Sequence, residues 1–200
     1  MTANATLDAA GPAPPPQKRD VILTGFGKFG DIVNNPTTAI VEEIAGDANV
    51  THALVLEVSA AGSLDMLAPL RKLAEEANRP CIFLHLGVAA KSTHFALERF
   101  GYNLADFRIP DERGWVASNE VISADEDAAL RTALPLDDLL AALEKENASA
   151  RISIDPGRYI CNYVYFHSLQ WVKAQQSFSE ISQEEQVRFV RRLVELVSEL

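Results

Sequence analysis

The sequence has 200 residues, of which 48% are hydrophobic, and this is enough to bury a core and favours one globular domain. A formal net charge of −10 and an isoelectric point of about 4.8 argue against nucleic acid or an anionic membrane as the main partner. No stretch approaches the roughly 18 apolar residues of a membrane span. Two cysteines in a chain of this length fit a reducing cytoplasm better than secretion.

The first 19 residues are rich in alanine and proline and lack the apolar core of a signal peptide. Because such a composition buries too little apolar surface to offset the entropy of ordering, we predict a disordered leader over 1–19. A single domain is then expected over 20–200.

Strands and helices alternate along this domain. A continuous apolar run at 21–26 is typical of a strand buried on both faces, and Asn35 with Pro36 predicts the start of a helix. Further strands are predicted at 53–58, 81–88 and 151–154, and further helices at 63–78, 136–147 and 162–173.

A last helix is predicted after the capping box at Ser182 and Glu185. The alternation indicates an α/β fold, a single domain with three layers (α/β/α) and a mostly parallel sheet. Residues 93–133 do not fit this alternation, which is typical of an insertion that forms part of a site.

Cys161 lies at a predicted turn between a strand and a helix. The positive end of a helix favours the thiolate form of a cysteine, so the position predicts a nucleophile. The alternative is an ordinary core cysteine, since cysteine is among the residues most often buried.

Two other groups of residues suit a site. Phe26 and Phe29 lie in a glycine-containing loop after the first strand, where parallel sheets bind ligands, although a glycine turn with two core aromatics is the alternative. Glu98 lies in an apolar segment where a carboxylate needs a partner, and it could either orient a catalytic group or pair with a neighbour such as Arg99. Arg108 could donate hydrogen bonds into a pocket.

Several short motifs, in order from residue 21 to about 173, resemble the pyroglutamyl peptidase I family of cysteine peptidases (pyrrolidone carboxyl peptidases), in its plant-like eukaryotic branch. The matching stretches are 23–29, 35–36, 85–88, 96–103, 108–111, 157–163 and 165–169. Each motif alone is weak, but their shared order is specific. The resemblance also implies a phosphorylase/hydrolase-like fold.

The resemblance implies a role for each of the candidate residues. Cys161 matches the nucleophile and Glu98 the acidic member of a catalytic triad. The matching substrate-binding residues are Phe26 and Phe29, which would enclose a five-membered lactam ring, together with Asn35, Asn103 and Arg108, the last near the acyl carbonyl.

The reaction that the resemblance implies is removal of an N-terminal pyroglutamate from peptides through a thioester, with no metal and no cofactor. The expected partners are therefore pyroglutamyl peptides, and the sequence does not determine an oligomeric state. Localisation is expected to be cytoplasmic.

The sequence departs from the family after the helix of Cys161. In the family a strand follows that carries the histidine base, whereas here residues 174–181 lead directly into the predicted last helix and contain no histidine. One strand is therefore predicted to be missing, through a shortened isoform, a gene-model artefact or loss of function.

The four histidines are poor substitutes for that base. His85 lies in a predicted core strand and is expected to be a hydrogen-bonded buried residue, while His167 lies six residues after Cys161 on a different helix face. His52 and His94 are weaker candidates for the base. Two functions remain open: a cysteine peptidase, or an impaired relative that binds pyroglutamyl ends or a protein partner without cleaving.

Overall fold

The structure is a computed structural model that describes residues 20–77, 81–89 and 92–175. This part of the chain contains seven strands and four helices. In chain order they are β1 (Asp20–Phe26), α1 (Pro36–Ile44), β2 (His52–Leu56), α2 (Ala60–Ala77), β3 (Cys81–His85), β4 (Phe95–Glu98), β5 (Phe100–Tyr102), β6 (Ala129–Arg131), α3 (Leu136–Lys145), β7 (Ala150–Ser153) and α4 (Ile160–Ala174).

The central sheet is parallel, with strand order β2-β1-β3. Every residue of β1 is buried, as its continuous apolar sequence predicts for a strand covered on both faces. Parallel pairing places the ends of β1 and β3 at one edge of the sheet, so the loops after Phe26 and His85 lie side by side.

Helices cover the sheet with two separate apolar clusters. Val41 and Ile44 of α1 pack with Leu23. A second cluster joins β1 and β2 to α2 and α4; its members include Phe26, Leu56, Leu67, Ile160 and Val164. The predicted α/β class with a mostly parallel sheet is confirmed.

Residues 93–133 hold three short strands that the periodicity did not predict. β4 pairs in parallel with β7, and β5 pairs antiparallel with β6. Strands of three or four residues are too short to show a clear alternation, which explains why they were missed.

Several predicted bounds shift by a few residues for identifiable reasons. β3 ends at His85 rather than 88, because the chain leaves the sheet after Leu86, whose N–H still donates to the Thr24 carbonyl at 2.7 Å. α2 begins at Ala60 rather than 63, because the Ser59 hydroxyl accepts from the Gly62 N–H and the Asp111 carboxylate accepts from the Ala60 N–H, each at 3.0 Å.

The predicted leader over 1–19, the predicted last helix and the histidine-free join before it lie outside the described residues. Within the ranges that are described, no helix is long and apolar enough to cross a membrane.

Candidate active site

Cys161 is the second residue of α4, directly after a turn. Tyr159 is the extended residue at the helix N-terminus, and Gly157 has a φ of +76°, which a residue with a side chain rarely adopts. β7 ends shortly before this turn, at Ser153. The predicted succession of strand, turn and helix at Cys161 is confirmed.

The thiol lies against the backbone of Gly87, in the loop that follows β3. A Cβ atom at Gly87 would lie only 3.2 Å from the Cys161 sulfur, which is closer than side chains normally approach. Glycine is therefore the residue that lets this loop form a wall of the thiol site.

The expected thiolate is a prediction that the structure corrects. Burial, with a smaller contribution from the negative charge of Glu98, raises the pKa of the Cys161 thiol to about 11, although the backbone N–H of Cys161 acts in the opposite direction. Loss of hydration disfavours the charged form more than this N–H favours it. The cysteine is thus a protonated thiol at neutral pH.

Glu98 ends β4 and pairs in register with Ser153 of β7. Burial raises the pKa of its carboxyl group, against a hydrogen bond with Ser153 that lowers it. Its Oε2 atom is buried and has no hydrogen-bond partner among the described residues. The carboxylate therefore has one acceptor position that no described residue fills.

Two predicted aromatic residues share an apolar cluster with the thiol. Phe26 is buried in this cluster, and Phe29 and Cys161 pack against it. Tyr159 also packs there, with its ring centroid 6.1 Å from Phe29 and 5.1 Å from Phe107. Tyr159 was not predicted from the sequence as a site residue, although an aromatic residue two positions before the candidate nucleophile is a signal for one.

Asn35 serves as a helix cap in this structure. Its Oδ1 atom accepts from the Thr37 N–H at 3.1 Å and from the Thr37 hydroxyl at 2.9 Å, and its amide donates to the Gly27 carbonyl at 2.9 Å. Asn35 holds the loop that carries Phe29, and its side-chain oxygen and nitrogen form their hydrogen bonds within the protein.

Asn103 is likewise occupied by backbone contacts. Its amide donates to the carbonyls of Ser123 at 2.7 Å and Glu126 at 3.1 Å, and its oxygen accepts from the Ser123 N–H at 2.8 Å. Arg108 is exposed. The structure thus groups Phe26 and Phe29 with Cys161, while Asn35 and Asn103 support loops.

His85 is the hydrogen-bonded histidine that the sequence predicted. Its Nδ1 atom lies 2.6 Å from the Thr24 hydroxyl and its Nε2 atom 2.8 Å from the Ser168 hydroxyl. Burial lowers its pKa to about 3, and the nearby Arg71 charge adds to this effect. With both nitrogens engaged, the ring has no free atom with which to accept a proton from a thiol.

His167 lies six residues beyond Cys161 on α4, about 9 Å along the helix axis. Its Nδ1 atom faces Gln170 at 3.2 Å, and burial lowers its pKa. It lines an open cavity of about 520 Å³ at the far half of α4, away from the helix N-terminus. His94 is exposed.

The described residues contain no cluster of three or more His, Cys, Asp or Glu side chains arranged to hold a metal ion. The chemistry that this arrangement offers is a half-buried thiol near a half-buried carboxylate, with aromatic walls and the first turn of a helix.

Known proteins match this chain over most of its length. Residues 19–182 match the family model for pyroglutamyl peptidase. The pyrrolidone-carboxylate peptidase of Deinococcus radiodurans is 34% identical over 159 residues, or 76% of this chain and 70% of that protein. The protein of the same name from Thermococcus litoralis is 33% identical over 159 residues, or 78% and 70%.

Solved structures agree with the sequence matches. The crystal structure of pyrrolidone carboxyl peptidase from Fervidobacterium islandicum AW-1 aligns with a TM-score of 0.74 and 28% identity, covering 91% of this chain and 99% of that one. A pyrrolidone carboxyl peptidase from Thermococcus litoralis aligns with a TM-score of 0.71 and 26% identity, over 90% and 93%. This chain therefore belongs to the pyroglutamyl peptidase family.

Proposed function

We propose that this protein is a cysteine peptidase that removes N-terminal pyroglutamate from peptides. One observation carries the proposal: the thiol of Cys161 packs against the same apolar cluster as Phe26 and Phe29. A small lactam ring is flat and mostly apolar, so aromatic walls next to a nucleophile suit it. Membership of the family supports the same activity.

The proposed reaction has two steps. The sulfur of Cys161 gives up its proton and attacks the carbonyl carbon of the pyroglutamyl residue; the amine of the next residue then leaves with a proton, and a thioester remains. Water cleaves the thioester, which releases pyroglutamate and restores the thiol. The free N–H groups in the first turn of α4 would stabilise the negative oxygen.

A second function is favoured by the state of the acid and base groups. The pKa of Cys161 is about 11, Oε2 of Glu98 has no partner among the described residues, and both nitrogens of His85 are engaged. A thiol without a base is a slow nucleophile, and loss of one triad member typically costs several orders of magnitude. A protein that binds pyroglutamyl ends and cleaves them poorly, or a protein that binds another partner, is the alternative.

A fluorogenic pyroglutamyl amide distinguishes these functions. We expect measurable hydrolysis by the full chain, its loss in Cys161→Ala, and its retention in Cys81→Ala. Cys81 is a matched control because it is a buried thiol, with a pKa raised to about 12, in β3. Hydrolysis that persists in Cys161→Ala would disprove Cys161 as the nucleophile.

Binding is measured separately by thermal unfolding with a non-cleavable pyroglutamyl analogue. At 100 times its dissociation constant, a ligand stabilises the folded state by about 2.7 kcal/mol. Stabilisation without hydrolysis would favour the binding function, and neither stabilisation nor hydrolysis would refute both uses of this site.

A further inference from the structure

Asn162, the residue after the thiol, is buried within a set of backbone contacts. It has no solvent exposure, and its Oδ1 atom accepts from the Tyr102 N–H at 2.8 Å. Its amide donates to the Tyr102 carbonyl at 2.9 Å and to the Leu104 carbonyl at 3.1 Å. One side chain of α4 thus binds three backbone polar groups at the end of β5 and just after it.

Three further contacts join the start of α4 to residues 102–110, which we call the 102–110 segment. The Arg158 guanidinium lies 3.8 Å from the centre of the Tyr102 ring, and the Arg158 carbonyl accepts from the Asp106 N–H at 3.1 Å. The Tyr159 hydroxyl donates to the Pro110 carbonyl at 3.0 Å. The segment also carries Arg108.

The packing between β5 and α4 leaves little room for adjustment. A Cβ atom at Gly101 would lie 3.0 Å from the Cα of Phe166, so the strand touches the helix backbone directly. Because this contact is tight, the hydrogen bonds of Asn162 determine the position of the first turn of α4 relative to the 102–110 segment. Cys161 is part of that turn.

We propose that Asn162 is a positioning residue that holds the Cys161 thiol in its place against Gly87 and the apolar cluster. Removing its side chain leaves one N–H and two carbonyls, all partly buried, without this partner, so the first turn of α4 should separate from the segment and admit water. The effect on hydrolysis rests on the proposed function. The effect on the thiol itself does not.

A purely structural role would lower stability and leave the folded thiol unchanged, so the decisive readout is the reactivity of Cys161. The rate of its alkylation by iodoacetamide is followed at pH 8 by peptide mass spectrometry, well below each variant's Tm. Asn162→Ala is compared with Ile44→Ala, a cavity variant in the α1 cluster on a different part of the sheet. If Asn162→Ala does not fold, the same alkylation rate is measured on Asn162→Ser, which is a smaller change.

We expect Asn162→Ala to alkylate at least about ten times faster than the unmodified chain, because each unit by which hydration lowers the thiol pKa increases the thiolate fraction tenfold at pH 8. Hydrolysis by Asn162→Ala should be slower, with a fall in kcat that is larger than the change in KM. Ile44→Ala should have a lower Tm, but its rate of alkylation at Cys161 and its hydrolysis should be unchanged.

The inference is overturned if folded Asn162 variants alkylate within about twofold of Ile44→Ala and of the unmodified chain. If the unmodified chain does not hydrolyse the pyroglutamyl amide, the proposed function is contradicted. The comparison of alkylation rates still tests the role of Asn162 in that case. The two failures are therefore distinguishable.

Discussion

At the scale of single residues, the charge of Glu98 opposes ionisation of the Cys161 thiol. Burial raises the pKa of both Cys161 and Glu98, and the Glu98 charge adds to the effect on the thiol, while Arg151 favours the charged form of Glu98. A thiolate near a carboxylate is costly to form unless a base or cation lies close to the thiol. Among the described residues, no group partners the Oε2 atom of Glu98.

Glu98→Gln should therefore increase stability at pH 7. A carboxyl group whose pKa is raised by folding costs stability when it ionises, so the gain should be present above the folded pKa and disappear as the pH falls through it toward about 4.5. The gain is read as a rise in Tm. The same variant should alkylate faster at Cys161, because it removes a like charge.

Thermal unfolding at pH 7 and pH 4 measures this change, with the exposed Glu43→Gln as the control. A Tm for Glu98→Gln that is lower at pH 7 than that of the unmodified chain would show that the Glu98 charge is stabilising, contrary to this prediction.

At the scale of elements, a distant loop helps to cap the start of α2, beside the local cap from Ser59. Asp111 is buried and its carboxylate accepts from the Ala60 N–H at the start of α2, and from the N–H groups of Arg113 and Trp115 at 2.9 Å each. The stretch 108–111 was noticed in the sequence as part of a motif, but its structural role depends on a contact 51 residues away.

Asp111→Ala should destabilise the protein by about 2–4 kcal/mol, because it removes a helix cap and leaves three N–H groups without their acceptor. Urea unfolding measures the loss. Asp65→Ala is the control, since Asp65 is an exposed carboxylate that pairs with Arg113 at 3.6 Å and should contribute less than about 1 kcal/mol. Similar losses in the two variants would contradict the capping role.

At the scale of the whole molecule, His85 joins three elements through hydroxyl groups. It lies in β3 and contacts Thr24 of β1 and Ser168 of α4. Its pKa of about 3 means that the folded protein keeps the ring neutral, whereas an unfolded chain protonates it below about pH 6.5. Acid should therefore weaken the junction of sheet and helix.

The free energy of unfolding should fall as the pH drops from about 6.5 toward 3, with His85 contributing up to about 1.4 kcal/mol per pH unit. Urea unfolding between pH 7 and pH 4.5 tests this. His85→Gln should show a shallower dependence on pH than the unmodified chain, and the exposed His94→Gln should not. Equal slopes for His85→Gln and the unmodified chain would refute the prediction.

The sequence by itself determined the local elements and the class of site. Apolar periodicity predicted the strands of the central sheet and the amphipathic helices, Asn35 and Pro36 marked a helix start, and a turn before Cys161 marked the candidate nucleophile. These features depend on neighbouring residues, so a linear pattern is sufficient to reveal them.

Only the tertiary structure decided how the site residues are used. Asn35 and Asn103 hold loops, Tyr159 joins the aromatic cluster, and burial raises the pKa of the thiol. Hydration, charge proximity and hydrogen-bond partners depend on distances across the fold rather than on order along the chain. That is why Cys161 could be located from its sequence while its pKa, and its attachment through Asn162, could not.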